Sequence, residues 1–317
     1  MKILFNGSVS GLGNNGGSRT ILLSAQTIRD LGHECDILSP VDKFTWFEHK
    51  PCLKTIEYIP DILINIAAVD LKSTLSIPSK VKAWYIRAHE NWAMSDKQLN
   101  ELYKTPKVIN IVNSIGLQKV LSYNGAKSDV VYQGIDFDVW KDKKLRPNNK
   151  IRIGGLYTKQ PRKRWNDFRL LAEELGHVNY EYIGIGNSTP SAREGGFLTE
   201  YKCNATSEEL SDIYSSCHIW FAPTDSEGLH NVPMEANLCG CLVVCSNHPL
   251  NGMVFDYAFR QDTAMVYQKY DILHAATLVR NPDWELIERM QKHIYKNIGD
   301  RKTNMKKLIS LVSENDI

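Results

Sequence analysis

Trp220-Phe221-Ala222-Pro223-Thr224-Asp225-Ser226-Glu227-Gly228-Leu229-His230-Asn231-Val232-Pro233-Met234-Glu235-Ala236-Asn237-Leu238-Cys239-Gly240 is the stretch from which the rest of the chain can be read. It opens on an apolar strand at 219–222 and passes into a polar loop. Asn231 suits a helix N-cap, and Pro233 is tolerated in a first helical turn. Gly240 suits the residue just past a helix, and Leu242-Val243-Val244 restarts a strand. Strand, loop, helix and strand in that order predict a parallel sheet with helices on its faces. Two carboxylates ride on this unit, Glu227 on the loop and Glu235 in the opening turns of the helix. The backbone amides of Gly228, Leu229, His230, Asn231 and Val232 surround the helix N-terminus, where a phosphate is stabilised. Carboxylates accept hydrogen bonds from paired hydroxyls, which a sugar ring and a ribose both offer. One nucleotide-sugar could therefore span both glutamates, with its diphosphate on the amides between them.

The same alternation extends outward. Strands are expected at 2–6, 34–38, 61–66, 81–86, 108–112 and 130–132. After a break they are expected at 151–156, 180–185, 219–222, 242–245 and 265–267. Helices are expected at 17–31, 165–175 and 207–216, the last with a capping box in Thr206 and Glu209. Residues 141–150 are polar and basic, with almost nothing to bury, and read as a linker. From 282 onward the tail reads as two amphipathic helices. The fold class is therefore α/β, with two tandem doubly wound domains facing each other across a cleft. Residues 1–145 form the first domain, 146–298 the second, and 299–317 a helix that returns to the first. In such sheets ligands bind at the carboxyl ends of strands.

Composition bounds the reading. A chain of 317 residues is long enough for two cores, and 43% hydrophobic with 23% charged residues excludes disordered, collagenous and coiled-coil classes. A net charge of +2 is too small for a protein that wraps duplex DNA, so no nucleic-acid partner is expected. No run approaches the ~18 apolar residues of a membrane span, and the N-terminus does not read as a signal peptide. Seven scattered cysteines fit reduced thiols and a cytoplasmic location. Cys239, Cys241, Cys245 and His248 have the wrong spacing for a common zinc knuckle and read as core thiols.

Gly11-Leu12-Gly13-Asn14-Asn15-Gly16 formally matches the dinucleotide fingerprint, but four residues separate it from the strand end. That is too long for the tight turn the fingerprint needs. It reads instead as a flexible loop ending in Gly16-Gly17 at a helix N-terminus, where amides approach an anion closely.

The Glu, seven residues, Glu spacing, set within Glu-Gly-Leu, Asn-Val, Glu-Ala and Cys-Gly elements, resembles the signature of retaining GT-B glycosyltransferases of family 4. Further segments resemble that family in order: Gly16-Gly17 with Arg19, Arg87-Ala88-His89-Glu90-Asn91, Val112-Asn113-Ser114, Tyr132-Gln133-Gly134-Ile135-Asp136, Ile153-Gly154-Gly155 with the basic residues after it, and Glu181-Tyr182-Ile183-Gly184-Ile185-Gly186. Leu156 stands where the family has an arginine, and the chain is short for the family. Lys163 aligns with the family lysine; its basic partner stays open among Lys159, Arg162 and Arg164. Residues 141–164 hold ten Lys or Arg and one Asp, which leaves a peripheral contact with an anionic membrane open.

The resemblance implies a retaining hexosyltransferase that moves a sugar from a nucleoside diphosphate to a hydroxyl of a glycan, lipid or small molecule. No cofactor and no metal are expected. Glu235 would bind the ribose, Glu227 the sugar hydroxyls, His89 the sugar, and Lys163 with its partner the diphosphate. A nucleotide-sugar epimerase, a non-enzymatic glycan- or partner-binding module and, more remotely, an oxidoreductase are the alternatives. The base pocket is expected after Ile185 and at 197–203, without a choice between uracil and guanine. Acceptor contacts are expected from 42–49 and 87–96, with Phe44, Trp46, Phe47 and Trp92 as stacking surfaces.

Overall fold

A computed structural model describes the whole chain except Asn14, 42–47, 248–261 and 315–317. The chain divides into two units, Met1–Gly134 with Gly299–Ile317, and Ile135–Ile298.

In the first unit, β1 (Lys2–Asn6), β2 (Glu34–Leu38), β3 (Ile62–Asn65), β4 (Val81–Ile86), β5 (Ile109–Val112) and β6 (Asp129–Val130) form one sheet in the order β2-β1-β3-β4-β5-β6. Every pairing is parallel. A parallel sheet is covered on both faces, so its inner strands are apolar without alternation; Ile3, Leu4, Phe5, Leu63 and Ile64 are fully buried. The connections carry α1 (Gly16–Asp30), α2 (Leu71–Ser76), α3 (Asp96–Leu102) and α4 (Ile115–Tyr123).

The second unit holds β7 (Ile151–Tyr157), β8 (Tyr180–Gly186), β9 (Glu200–Cys203), β10 (Ile219–Ala222), β11 (Leu242–Asn247) and β12 (Met265–Gln268) in the order β12-β11-β10-β7-β8-β9, again all parallel. Its helices are α5 (Trp165–Leu175), α6 (Ala192–Gly195), α7 (Ser207–Ser216), α8 (Asn231–Leu238), α9 (Ile272–Arg280) and α10 (Glu285–His293), the last running into a π turn at Ile294–Ile298. Both halves of the Thr206–Glu209 capping box are formed at α7. Gly154 and Gly155 sit inside β7 for packing reasons. A Cβ on the first would lie 2.3 Å from the Trp220 ring and one on the second 2.5 Å from the Phe168 ring.

The last helix, α11 (Arg301–Ser313), belongs to the first unit and adds Met305, Leu308 and Val312 to the core around Ile3, Ile21 and Ile28. Where the chain leaves that unit, Gly134 has φ +72° and lies so close to the α11 start that a Cβ would sit 2.3 Å from Arg301 Cα. None of the described helices is long and apolar enough to cross a membrane.

Residues 141–150 are not a free linker, and the division between units falls earlier, after Gly134. Lys143 N donates to Ser215 Oγ (3.1 Å) and Lys143 Nζ pairs with Asp212 (2.6 Å). Arg146 Nη1 donates to Cys239 O (3.3 Å), while its Nη2 pairs with Asp142 (2.5 Å). Arg146 thereby meets carbonyls at the ends of α7 and α8, where cations are favoured.

Candidate active site

Each sheet has one point where the strand order reverses and neighbouring connections diverge, leaving a crevice at the strand ends. In the second unit it lies between β7 and β10. From β7 the chain runs through residues 158–160 into a 3-10 turn, Pro161–Lys163. Arg164 then takes the left-handed conformation, φ 49°, and redirects the chain into α5. From β10 it runs through 223–230 into α8.

The two loops are stitched together. Asp225 N donates to Arg162 O (2.7 Å) and Arg162 Nη1 to Ser226 O (3.0 Å). Thr224, fully buried, is fixed by Ser246: its N–H donates to Ser246 Oγ (3.0 Å), which donates back to Thr224 O (2.8 Å). This places the Glu227 carboxylate, 8% exposed, against four groups. Lys163 Nζ forms an ion pair with Oε1, and Thr224 Oγ1 donates to the same oxygen at 3.1 Å. Arg162 Nη1 lies 3.4 Å from Oε2, and His230 Nε2 lies 3.9 Å from Oε1. Burial alone would raise the carboxyl, but the Lys163 ammonium, followed by His230 and Arg162, more than reverses this and holds it well below its ordinary 4.5. Burial pulls the Lys163 ammonium below its ordinary range, and the carboxylate opposes that. Leu156, Lys163, Trp220, Ala222, Pro223 and His230 line a small cleft between the two strand ends.

α8 begins one residue earlier than its sequence suggests. His230 is the N-cap and Asn231 the first helical residue, and the His230 side chain does not cap the helix amides. Gly228, Leu229 and His230 are buried, Asn231 and Val232 half-buried. Glu235 is buried farther along the helix.

Geometry separates the three basic candidates beside Lys163. Arg162 shares Glu227 with it. Arg164 is engaged elsewhere: it bonds Asp167 (2.7 Å) and Asp225 (3.3 Å) and lies 3.9 Å over the Tyr270 ring. Lys159 is exposed.

In the first unit the reversal lies between β1 and β3. Just ahead of the glycine loop, Asp70, fully buried, accepts from Val9 N (2.7 Å) and Ser10 N (3.0 Å). Asn15 caps α1 by accepting from Ser18 N, so Gly16 and Gly17 form its first turn. Arg87 donates to Gly17 O (2.5 Å) and Ile66 O (2.9 Å), and Glu90 accepts from Ala68 N (2.8 Å). Burial pulls the Arg87 guanidinium down and pushes the Glu90 carboxyl up, and each charge offsets the shift of the other. Asp70, at the end of a 3-10 turn that follows β3, was not picked out by sequence reasoning; Arg87, just past the end of β4, was quoted only as part of a family-like segment and without this backbone role.

His89 is buried with both ring nitrogens engaged, Nε2 to Asp96 Oδ1 (2.8 Å) and Nδ1 to Tyr103 OH (3.1 Å). Cys239, Cys241 and Cys245 are buried thiols; Cys241 Sγ donates to Tyr214 O, and burial pushes Cys239 up to about 11. His248, Phe44, Trp46 and Phe47 lie outside the described residues, while Trp92 is exposed. Among the described residues no set of three His, Cys, Asp or Glu gathers as a metal site.

No family model matches the sequence, and no curated protein matches it. Solved structures do. A sucrose-phosphate synthase from Thermosynechococcus elongatus superposes with a TM-score of 0.77 at 13% identity, covering 98% of each chain. HepE of Anabaena, in complex with UDP and glucose, gives 0.73 at 13% identity, covering 99% of this chain and all of its own. A glycosyltransferase from Rickettsia africae gives 0.75 at 12% identity, covering 98% and 97%. The two parallel six-stranded α/β units are those of the GT-B fold.

Proposed function

We propose that this chain is a retaining, family-4-like glycosyltransferase. It moves a hexosyl group from a nucleoside-diphosphate sugar to a hydroxyl of a glycan, a lipid-linked acceptor or a small molecule. The observation that carries the reading is the meeting of Lys163 and Arg162 with Glu227 at the strand-order reversal of the second unit, beside the N-terminus of α8.

The difficult step in such a transfer is departure of the diphosphate. Lys163, Arg162 and the first-turn amides of α8 stabilise the negative charge that grows there. They supply the charge that a divalent ion gives in other transferases, so turnover is expected without added metal. Glu235 accepts from the ribose hydroxyls. Glu227 accepts from sugar hydroxyls and orients the anomeric carbon. The family resemblance assigns His89 to the sugar as well; since Asp96 and Tyr103 hold its ring, that contact requires the bond to the more exposed Asp96 to open. The same reading keeps the protein cytoplasmic, with a peripheral membrane contact as an option.

Calorimetric titration of UDP, GDP, ADP and NAD without metal, into wild-type protein and Glu235→Ala, tests this. One nucleoside diphosphate should bind, and about tenfold more weakly to the variant, the loss of one charge-assisted pair. UDP is the first to try, given HepE. Binding of NAD alone, or of nothing to folded protein, overturns the proposal.

A further inference from the structure

The Glu227 carboxylate is engaged more fully than an acceptor waiting for sugar hydroxyls. A carboxylate offers about four acceptor positions. Lys163 and Thr224 take two at Oε1, and Arg162 approaches Oε2. Lys163 and Arg162 are also the cations that the proposed function assigns to the diphosphate. Their Lys163 member has a side chain only 14% exposed, so without an adjacent anion it would be a desolvated charge beside a second cation, which is costly.

We infer that Glu227 is the resident counter-anion of the donor-free site: it holds Lys163 and Arg162 in place until a nucleoside diphosphate displaces it, and the displaced carboxylate then receives the sugar hydroxyls. Glu227 thus positions the cations first and meets the sugar second. The exchange is local. Thr224 stays fixed because its backbone N–H and C=O are both bonded to Ser246, so the base of the loop holds while the carboxylate turns. A diphosphate carries more negative charge than a carboxylate and wins the competition, yet part of its binding energy goes into breaking the resident pair. The half of the site that holds sugar is completed only when the half that holds phosphate is filled.

This inference rests on the donor-site reading, and the sign of one change separates the two. The nucleoside diphosphate that binds wild-type protein is titrated into Glu227→Gln, with the parent nucleoside as control and circular dichroism to verify folding. Removing the competing anion should tighten the diphosphate about threefold to tenfold and leave the nucleoside unchanged. Glu227→Asp retracts the charge by one methylene and is the second variant if the first does not fold. It should tighten the diphosphate about twofold, by the same competition. Unchanged or weaker diphosphate binding by a folded variant overturns the counter-anion role but leaves the donor site standing. Absence of binding by both wild-type and variant protein overturns both.

Discussion

The two strand-order reversals solve the same geometric problem with opposite uses of charge. In the first unit three charges are bonded to main chain: Asp70, buried, takes two loop amides, Arg87 holds two carbonyls, and Glu90 takes one amide. In the second unit charges of opposite sign meet through side chains, with Lys163 and Arg162 on the buried Glu227, although Arg162 also donates to Ser226 O. A charge bonded to backbone cannot leave without undoing the loop. A charge bonded to a side chain can be traded for a ligand of the same sign. The first arrangement therefore fixes a shape, and the second, on the proposal above, would keep a binding capacity in reserve.

Substitutions can break that contrast. Asp70→Ala is expected to have the largest effect in the first unit, because it unpairs the Val9 and Ser10 amides that shape the loop and leaves Arg87 with less compensation. It should cost about 3 kcal/mol of stability in urea unfolding. Lys163→Met should lower nucleoside-diphosphate affinity about 100-fold while changing nucleoside affinity little, as loss of a desolvated charge pair to phosphate does. Equal losses for both ligands would remove Lys163 from the phosphate site. Arg164→Met, by contrast, should cost about 3 kcal/mol of stability, because it leaves the buried Asp167 without its partner, and spare diphosphate affinity, which separates it from Arg162.

Acid sharpens the comparison further. The Glu227 carboxyl is held below its unfolded value of 4.5, so its stabilisation is complete above that pH and is lost as pH falls through the folded value. The Glu90 carboxyl is raised, so it opposes folding as pH rises through its folded value. Stability measured from pH 6 down to pH 3 should fall less in Glu227→Gln than in wild-type protein. A parallel decline in the two would mean that Glu227 is not paired in the folded chain.

Much of the frame is legible in the sequence because buried parallel strands are uninterrupted apolar runs. The strands at Lys2–Asn6, Glu34–Leu38, Val81–Ile86 and Ile219–Ala222 fall where their residues place them. β9, Glu200–Cys203, does not, because an edge strand reading Glu-Tyr-Lys-Cys is half exposed and has no apolar run. The segment at 141–150 misleads for a related reason: composition records its charges but not the partners they answer, Asp212 for Lys143 and the α7 and α8 end carbonyls for Arg146. At the site, the Glu227–Glu235 spacing is visible in the sequence. The choice of Arg162 over Arg164 is not, since it depends on a single left-handed residue that turns one arginine away. Asp70, and the backbone role of Arg87, escape because a charge that serves the backbone leaves no spacing to recognise.

The tight approach of Gly134 to the start of α11 carries a genetic consequence. The chain departs from the first unit and returns to it at adjoining points, which makes the second unit an insertion with neighbouring ends. A gene fragment coding for 1–134 followed by a short spacer and 299–317 would specify a closed body with its terminal helix retained. The intervening cassette is then a part that recombination can exchange whole.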